Sequence, residues 1–143
     1  MTVGAILNEK GNTIVSTQPD AILADVCVLL EEHRIGAVMV LDKSDDITGI
    51  LSERDVVRAI GRNGPAALQR PTSEFMTAKV ETCLEDDTVN RAMARMTKGR
   101  FRHLPVMRSG RIVGVISIGD VVKWRIEQVE REAEEMRSYI AMA

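Results

Sequence analysis

GILSERD at residues 49–55 recurs 65 positions later as GVISIGD at residues 114–120. Both fit one pattern: Gly, two apolar residues, Ser, two variable residues, Asp. The apolar pair reads as the end of a buried strand. Ser-x-x-Asp ahead of an apolar run is a capping box with Asp in place of the usual Glu, so a helix starts at each serine. A strand running directly into a capped helix, twice, is the frame from which the rest of the chain parses.

The match extends outward. Val15-Ser16-Thr17 aligns with Val80-Glu81-Thr82 at the same offset, and Val38-Met39-Val40 faces Leu104-Pro105-Val106 at an offset of 66. This period is too long for a solenoid repeat, and two copies suggest a pseudo-twofold pair. In the first copy Leu23, Val26, Cys27 and Leu30 fall at helical spacing, with Asp20 the expected N-cap. In the second, Val89, Met93 and Met96 form the stripe, starting from Asp86 or Asp87. Short β-branched runs follow at residues 36–41 and 103–107, then at 47–51 and 112–116, too short for helices. Each unit is therefore β-α-β-β-α in an α/β (α+β) fold.

The expected boundaries are 1–62 for the first repeat with its N-terminal segment, 63–75 for a Gly/Pro-bearing linker and 76–126 for the second repeat. Residues 127–143 form a C-terminal helical extension. Val122, Ile126, Val129, Ala133, Met136 and Ile140 are spaced 4-3-4-3-4, a seam suited to another helix. Its partner is either the N-terminal segment (Val3, Ile6, Leu7) or a second subunit. Trp124 stands at the start of this helix, where it can cover the module's edge.

Composition narrows the function. The chain of 143 residues has a net charge of −2, against a dedicated nucleic-acid binder. No apolar run approaches the ~20 residues of a membrane span, and the N-terminus lacks the pattern of a signal peptide. Cys27 and Cys83 sit in no metal-ligand spacing and read as small hydrophobes in a reducing cytoplasm. The eight methionines read as core filler, and His33 as a surface residue at a helix end. There is no Ser/His/Asp set, metal cluster or phosphate loop of the GxxxxGK[ST] type, so catalysis is not expected.

A helix N-terminus opening at a strand end can hold an anion, and an acid one turn in can accept from a ribose diol, as in dinucleotide folds. The two heptads, with RHLPV at residues 102–106, resemble the tandem CBS-domain pair, often called a Bateman module. That resemblance implies two three-stranded sheets with helices around a pseudo-twofold axis, and clefts between the repeats that bind adenine nucleotides. It places ribose hydroxyls on Asp55 and Asp120, and ribose or phosphate on Ser52 and Ser117. Ile14-Val15 and Lys79-Val80 begin the first strands and line adenine pockets. Arg102, His103 and Arg54 are the phosphate candidates. Gly36 and Ala37 replace the Arg102-His103 pair in the first repeat, so the second cleft should favour the more charged ligand. The resemblance further implies a cytoplasmic homodimer that senses AMP, ADP, ATP or NAD(H) and signals to a regulated partner, without a catalytic cofactor. The alternatives are S-adenosylmethionine as ligand, or an assembly adaptor acting through the C-terminal helix.

Overall fold

The computed structural model describes residues Met1–Met142; the last residue of the C-terminal extension lies outside them. The order of elements is α1 (Val3–Lys10), β1 (Ser16–Thr17), α2 (Leu23–His33), β2 (Ala37–Leu41), β3 (Ile47–Ser52) and α3 (Glu53–Asn63), then β4 (Cys83–Leu84), α4 (Val89–Gly99), β5 (His103–Arg108), β6 (Arg111–Ser117) and α5 (Ile118–Met142). Two short 3-10 turns, Pro65–Gln69 and Thr72–Glu74, occupy the linker. The repeated β-α-β-β-α unit is present twice, each with a sheet of three strands.

The chain forms two compact units. One comprises Thr13–Glu81 together with Ser109–Ile112, the other Met1–Asn12, Thr82–Arg108 and the chain from Val113 onward. In the first unit β1 pairs parallel to β2, and β2 antiparallel to β3 with Val38 opposite Leu51. Leu23 and Val26 of α2 pack with Val38, Val40 and Leu51, all fully or almost fully buried. In the second unit β4 pairs parallel to β5, which neighbours β6. Val89, Ala92 and Met96 of α4 form its core with Leu104, Val106, Ile116 and Val121, and Trp124 packs against them.

The N-terminal segment, grouped by sequence with the first repeat, is a helix that belongs to the second repeat's unit. Val3, Ile6 and Leu7 are buried in that core. The Val3 and Gly4 N–H groups donate to the Asp87 and Glu85 carbonyls at 2.9 and 3.0 Å. These three residues are therefore committed to the core and leave the C-terminal seam uncovered.

Two expected caps are corrected. Helix α2 starts after Ile22 with no side-chain cap, so Asp20 is not its N-cap. The Leu23 N–H donates instead to the Arg70 carbonyl of the linker, and Thr72 anchors the same stretch by donating from Oγ1 to the Ala21 carbonyl at 2.7 Å. Thr88 rather than Asp86 or Asp87 caps α4, while Asp87 accepts from the Leu84 N–H. Both cysteines are free; Cys83 is buried and Cys27 half-buried. Burial, with the charge of Asp87, pushes the Cys83 thiol up to about 11 against the pull of Arg95. Neither thiol is poised as a thiolate nucleophile, because burial raises that of Cys27 too.

The glycine opening each heptad has a packing role. A Cβ on Gly49 would lie 2.5 Å from Met76 Sδ and 3.0 Å from the Thr77 carbonyl oxygen. Thr77 is bridged to Ile50 there by two backbone hydrogen bonds, so the segment just after the linker cannot retreat easily. A Cβ on Gly114 would meet the tip of Leu7 at 2.7 Å. The same glycine thus admits Met76–Thr77, just after the linker, in one repeat and α1 in the other. Gly49→Ala is expected to lower stability by about 1–3 kcal/mol through overpacking. Gly114→Ala should cost less, since only a side-chain tip must move. Urea unfolding midpoints of the two variants check the order.

Candidate ligand site

Each Ser-x-x-Asp sits where a strand ends and a helix begins. In the first repeat the Ser52 hydroxyl accepts from the Asp55 N–H at 3.3 Å, and the Asp55 carboxylate accepts from the Ser52 N–H at 2.9 Å. In the second the corresponding distances are 3.2 Å from Asp120 N–H to Ser117 and 2.8 Å from Ser117 N–H to Asp120. Both capping boxes are closed, so two donors orphaned at each helix start are satisfied. Among the described residues, every hydrogen bond to either carboxylate falls on Oδ2. The second oxygen, Oδ1, forms none among the described residues.

A further pair of bonds fixes the junction. The Glu53 N–H donates to the Gly36 carbonyl at 2.9 Å, and the Ile118 N–H to the Arg102 carbonyl at 2.8 Å. The correspondence of Gly36-Ala37 with Arg102-His103 is therefore a structural equivalence as well as a sequence one. Arg102 is exposed and His103 half-buried at the start of β5. Arg54 is exposed on the first turn of α3. Ile14 and Val15 precede β1, where the Val15 carbonyl accepts from Met39 N–H at 3.1 Å. Lys79 and Val80 lie outside any strand, because β4 starts only at Cys83. The expectation that these two pairs begin the first strands is corrected: both β1 and β4 are two-residue strands that start later.

The two acids differ in their surroundings. Lys10, at the end of α1, donates from Nζ to Asp120 Oδ2 at 2.6 Å and to the Val115 carbonyl at 2.8 Å. Burial alone would push the Asp120 carboxyl up; the bonds from Lys10 and Ser117 and the nearby ammonium charge together hold it below the usual carboxylate range. Asp55 has no cation bonded to it among the described residues. It lines a groove of about 370 Å³ with Arg58, Arg62, Asn63, Arg70 and Phe75. Arg70 is engaged with Glu74 at 2.6 Å and lies over the Phe75 ring at 5.4 Å. Sequence reasoning missed Lys10, although it continues the Val3, Ile6, Leu7 spacing. It also missed Arg58 and Arg62, whose i+3 and i+7 positions from Asp55 put them on one helix face.

Comparison with known proteins matches these features. The CBS domain model fits residues 6–62 and again 73–127. The chain belongs to the CBS domain family. Its fold is similar to the CBS-domain containing protein ATU1752 of Agrobacterium tumefaciens, with 44% identity, a TM-score of 0.85, and coverage of 87% of this chain and 92% of that one. The Pyrobaculum aerophilum CBS domain protein PAE2072, solved with AMP, is 26% identical with a TM-score of 0.75 over 84% and 89% of the two chains. The CBS domain pair of protein MJ0100, solved with 5′-methylthioadenosine and S-adenosylmethionine, shares the fold at 22% identity, a TM-score of 0.80 and coverage of 90% and 98%. CBS pairs are regulatory modules. Among the described residues no helix is long and apolar enough to cross a membrane.

The Lys10–Asp120 pair makes a pH prediction. A carboxyl held below its unfolded value stabilises the fold above that value, and the contribution is lost as pH falls through the folded one. Lys10→Met is expected to cost about 0.5–1 kcal/mol at neutral pH, since the pair is partly exposed. The gap between variant and wild type should narrow below about pH 4. Denaturant titrations from neutral pH to pH ~2.5 measure it.

Proposed function

We propose that the chain is a regulatory module that binds adenine nucleotides (AMP, ADP, ATP or NAD(H)) at its Ser-x-x-Asp junctions and passes their level to a regulated partner. The observation that carries this reading is the division of labour within each carboxylate. Oδ2 closes the helix cap, and Oδ1 is left at the same half-buried junction to accept from a ribose diol. The AMP-bound relative supports the ligand class. Asp55 and Asp120 are the ribose acceptors, and Ser52 and Ser117 contact ribose or phosphate. Ile14-Val15 and Lys79-Val80 border the adenine, and Arg54, Arg102 and His103 are phosphate contacts. The module acts without catalysis of its own, as a cytoplasmic homodimer.

The surroundings of the two acids favour unequal sites. A ligand at Asp120 shares the carboxylate with Lys10. A ligand at Asp55 meets a groove containing Arg58 and Arg62, neither paired with a carboxylate among the described residues. The first repeat is therefore proposed as the tighter site for a polyphosphate. This weighs against the preference drawn from Arg102-His103 alone. S-adenosylmethionine is the second ligand reading, favoured by its complex with MJ0100; its sulfonium has no phosphate to engage those arginines.

A thermal-shift and calorimetric panel of AMP, ADP, ATP, NAD, NADH and S-adenosylmethionine tests both. At a hundredfold excess over its dissociation constant the right ligand should add about 2.7 kcal/mol of stability, or about 9 °C in Tm at this chain length. Asp55→Ala is expected to remove the tighter binding event and Asp120→Ala the weaker. Absence of any shift at millimolar concentrations overturns nucleotide sensing. Undiminished binding in both variants overturns the ribose assignment.

A further inference from the structure

We infer that α5 pairs in parallel with α5 of a second copy of this chain, as a short two-stranded coiled coil. This names an interface for the homodimer proposed above and is independent of which ligand the module binds. The inference starts from what the helix leaves uncovered. Val121 is buried and Trp124 packs on the core, but beyond them the seam is open. Ile126 is 54% exposed, Met136 60% and Ile140 65%, and every described residue from Val129 on is exposed. About thirteen residues of free helix are marginal in water without a partner. The apolar residues lie on one continuous 4-3 stripe rather than scattered, which is the geometry of a helix-to-helix seam.

Charge selects the occupant and its direction. With Ile126, Ala133 and Ile140 at a and Val122, Val129 and Met136 at d, the g positions are Arg125 and Glu132, and the e positions that follow are Glu130 and Arg137. In a parallel pair g of one chain faces the next e of the other. Arg125 then meets Glu130 of the partner subunit, and Glu132 meets Arg137 of the partner subunit. Both pairs attract, and each occurs twice by symmetry. A fully overlapped antiparallel pair would instead set Glu130 against Glu130 of the partner subunit, Glu132 against its copy, and Lys123 against Arg137. An antiparallel pair shifted by a heptad restores attraction, but pairs only residues 122–133 or 129–140 and leaves the rest of the seam open.

The decisive measurement uses two single charge reversals in the full chain, Arg125→Glu and Glu130→Arg, by sedimentation equilibrium. Each alone turns two attractive pairs repulsive and should weaken the dimer about tenfold. An equimolar mixture should recover wild-type affinity, because Glu at 125 then faces Arg at 130 in one direction and Arg faces Glu in the other. Only the parallel register gives this rescue; in the shifted antiparallel pair the mixture stays repulsive. Circular dichroism confirms that the exposed substitutions leave helix content intact. As a second readout, Ala133→Cys should cross-link to itself under mild oxidation, while the wild type, with Cys83 buried and Cys27 half-buried, should not. A dimer unaffected by either reversal, or a mixture that fails to recover, overturns the seam while leaving a homodimer through another face standing. A monomeric wild type overturns both.

Discussion

Everything at the candidate site depends on how the starts of α3 and α5 are closed. A helix N-terminus carries unsatisfied N–H groups and partial positive charge. At both junctions the preceding strand delivers it into a half-buried place. The serine hydroxyl and the aspartate carboxylate remove that liability by bonding each other's backbone N–H. The carboxylate can do so with one oxygen. Cap and ligand acceptor are thus compatible functions of one side chain, and the fold places the acid whether or not a ligand is present.

The glycine two residues before the strand's last apolar position belongs to the same device. It lets another segment lie against the strand: Met76–Thr77, just after the linker, in the first repeat, and Leu7 of α1 in the second. Duplication kept the slot and changed what fills it. That substitution has a chemical consequence. The α1 helix that packs on Gly114 ends at Lys10, and Lys10 reaches Asp120. The chain leading to Met76–Thr77 brings no such lysine to Asp55 among the described residues; its linker brings Arg70 and Phe75 to the groove instead.

The architecture was legible from sequence because the evidence for it is local. A doubled Ser-x-x-Asp and two rounds of 3.6 and 2.0 periodicity define the β-α-β-β-α units without any knowledge of packing. What sequence could not place was set by segments distant along the chain. Asp20 looked like a cap because aspartate favours that position, yet the linker carbonyl of Arg70 supplies what Leu23 N–H needs. The α4 cap is a local exception: Thr88 takes it one residue after the aspartates, leaving Asp87 to bond Leu84. Lys10 illustrates the same limit at the site. Its helical spacing was visible, but its target lies 110 residues away.

These placements make the N-terminal helix part of the second site's electrostatics rather than a passive start to the chain. Val3, Ile6 and Leu7 hold α1 by burial, which is stronger than the partly exposed ion pair at its end. The helix is held by its core residues, and Lys10 reaches Asp120 and the Val115 carbonyl from its end. A ligand hydroxyl or phosphate at Asp120 would compete with or recruit the same ammonium, depending on its charge. At Asp55 no such negotiation arises, and the arginines stand farther along the helix. Two junctions with the same cap, the same slot and the same acid thereby differ in the charge around that acid. The difference arises from which chain segment each glycine admits.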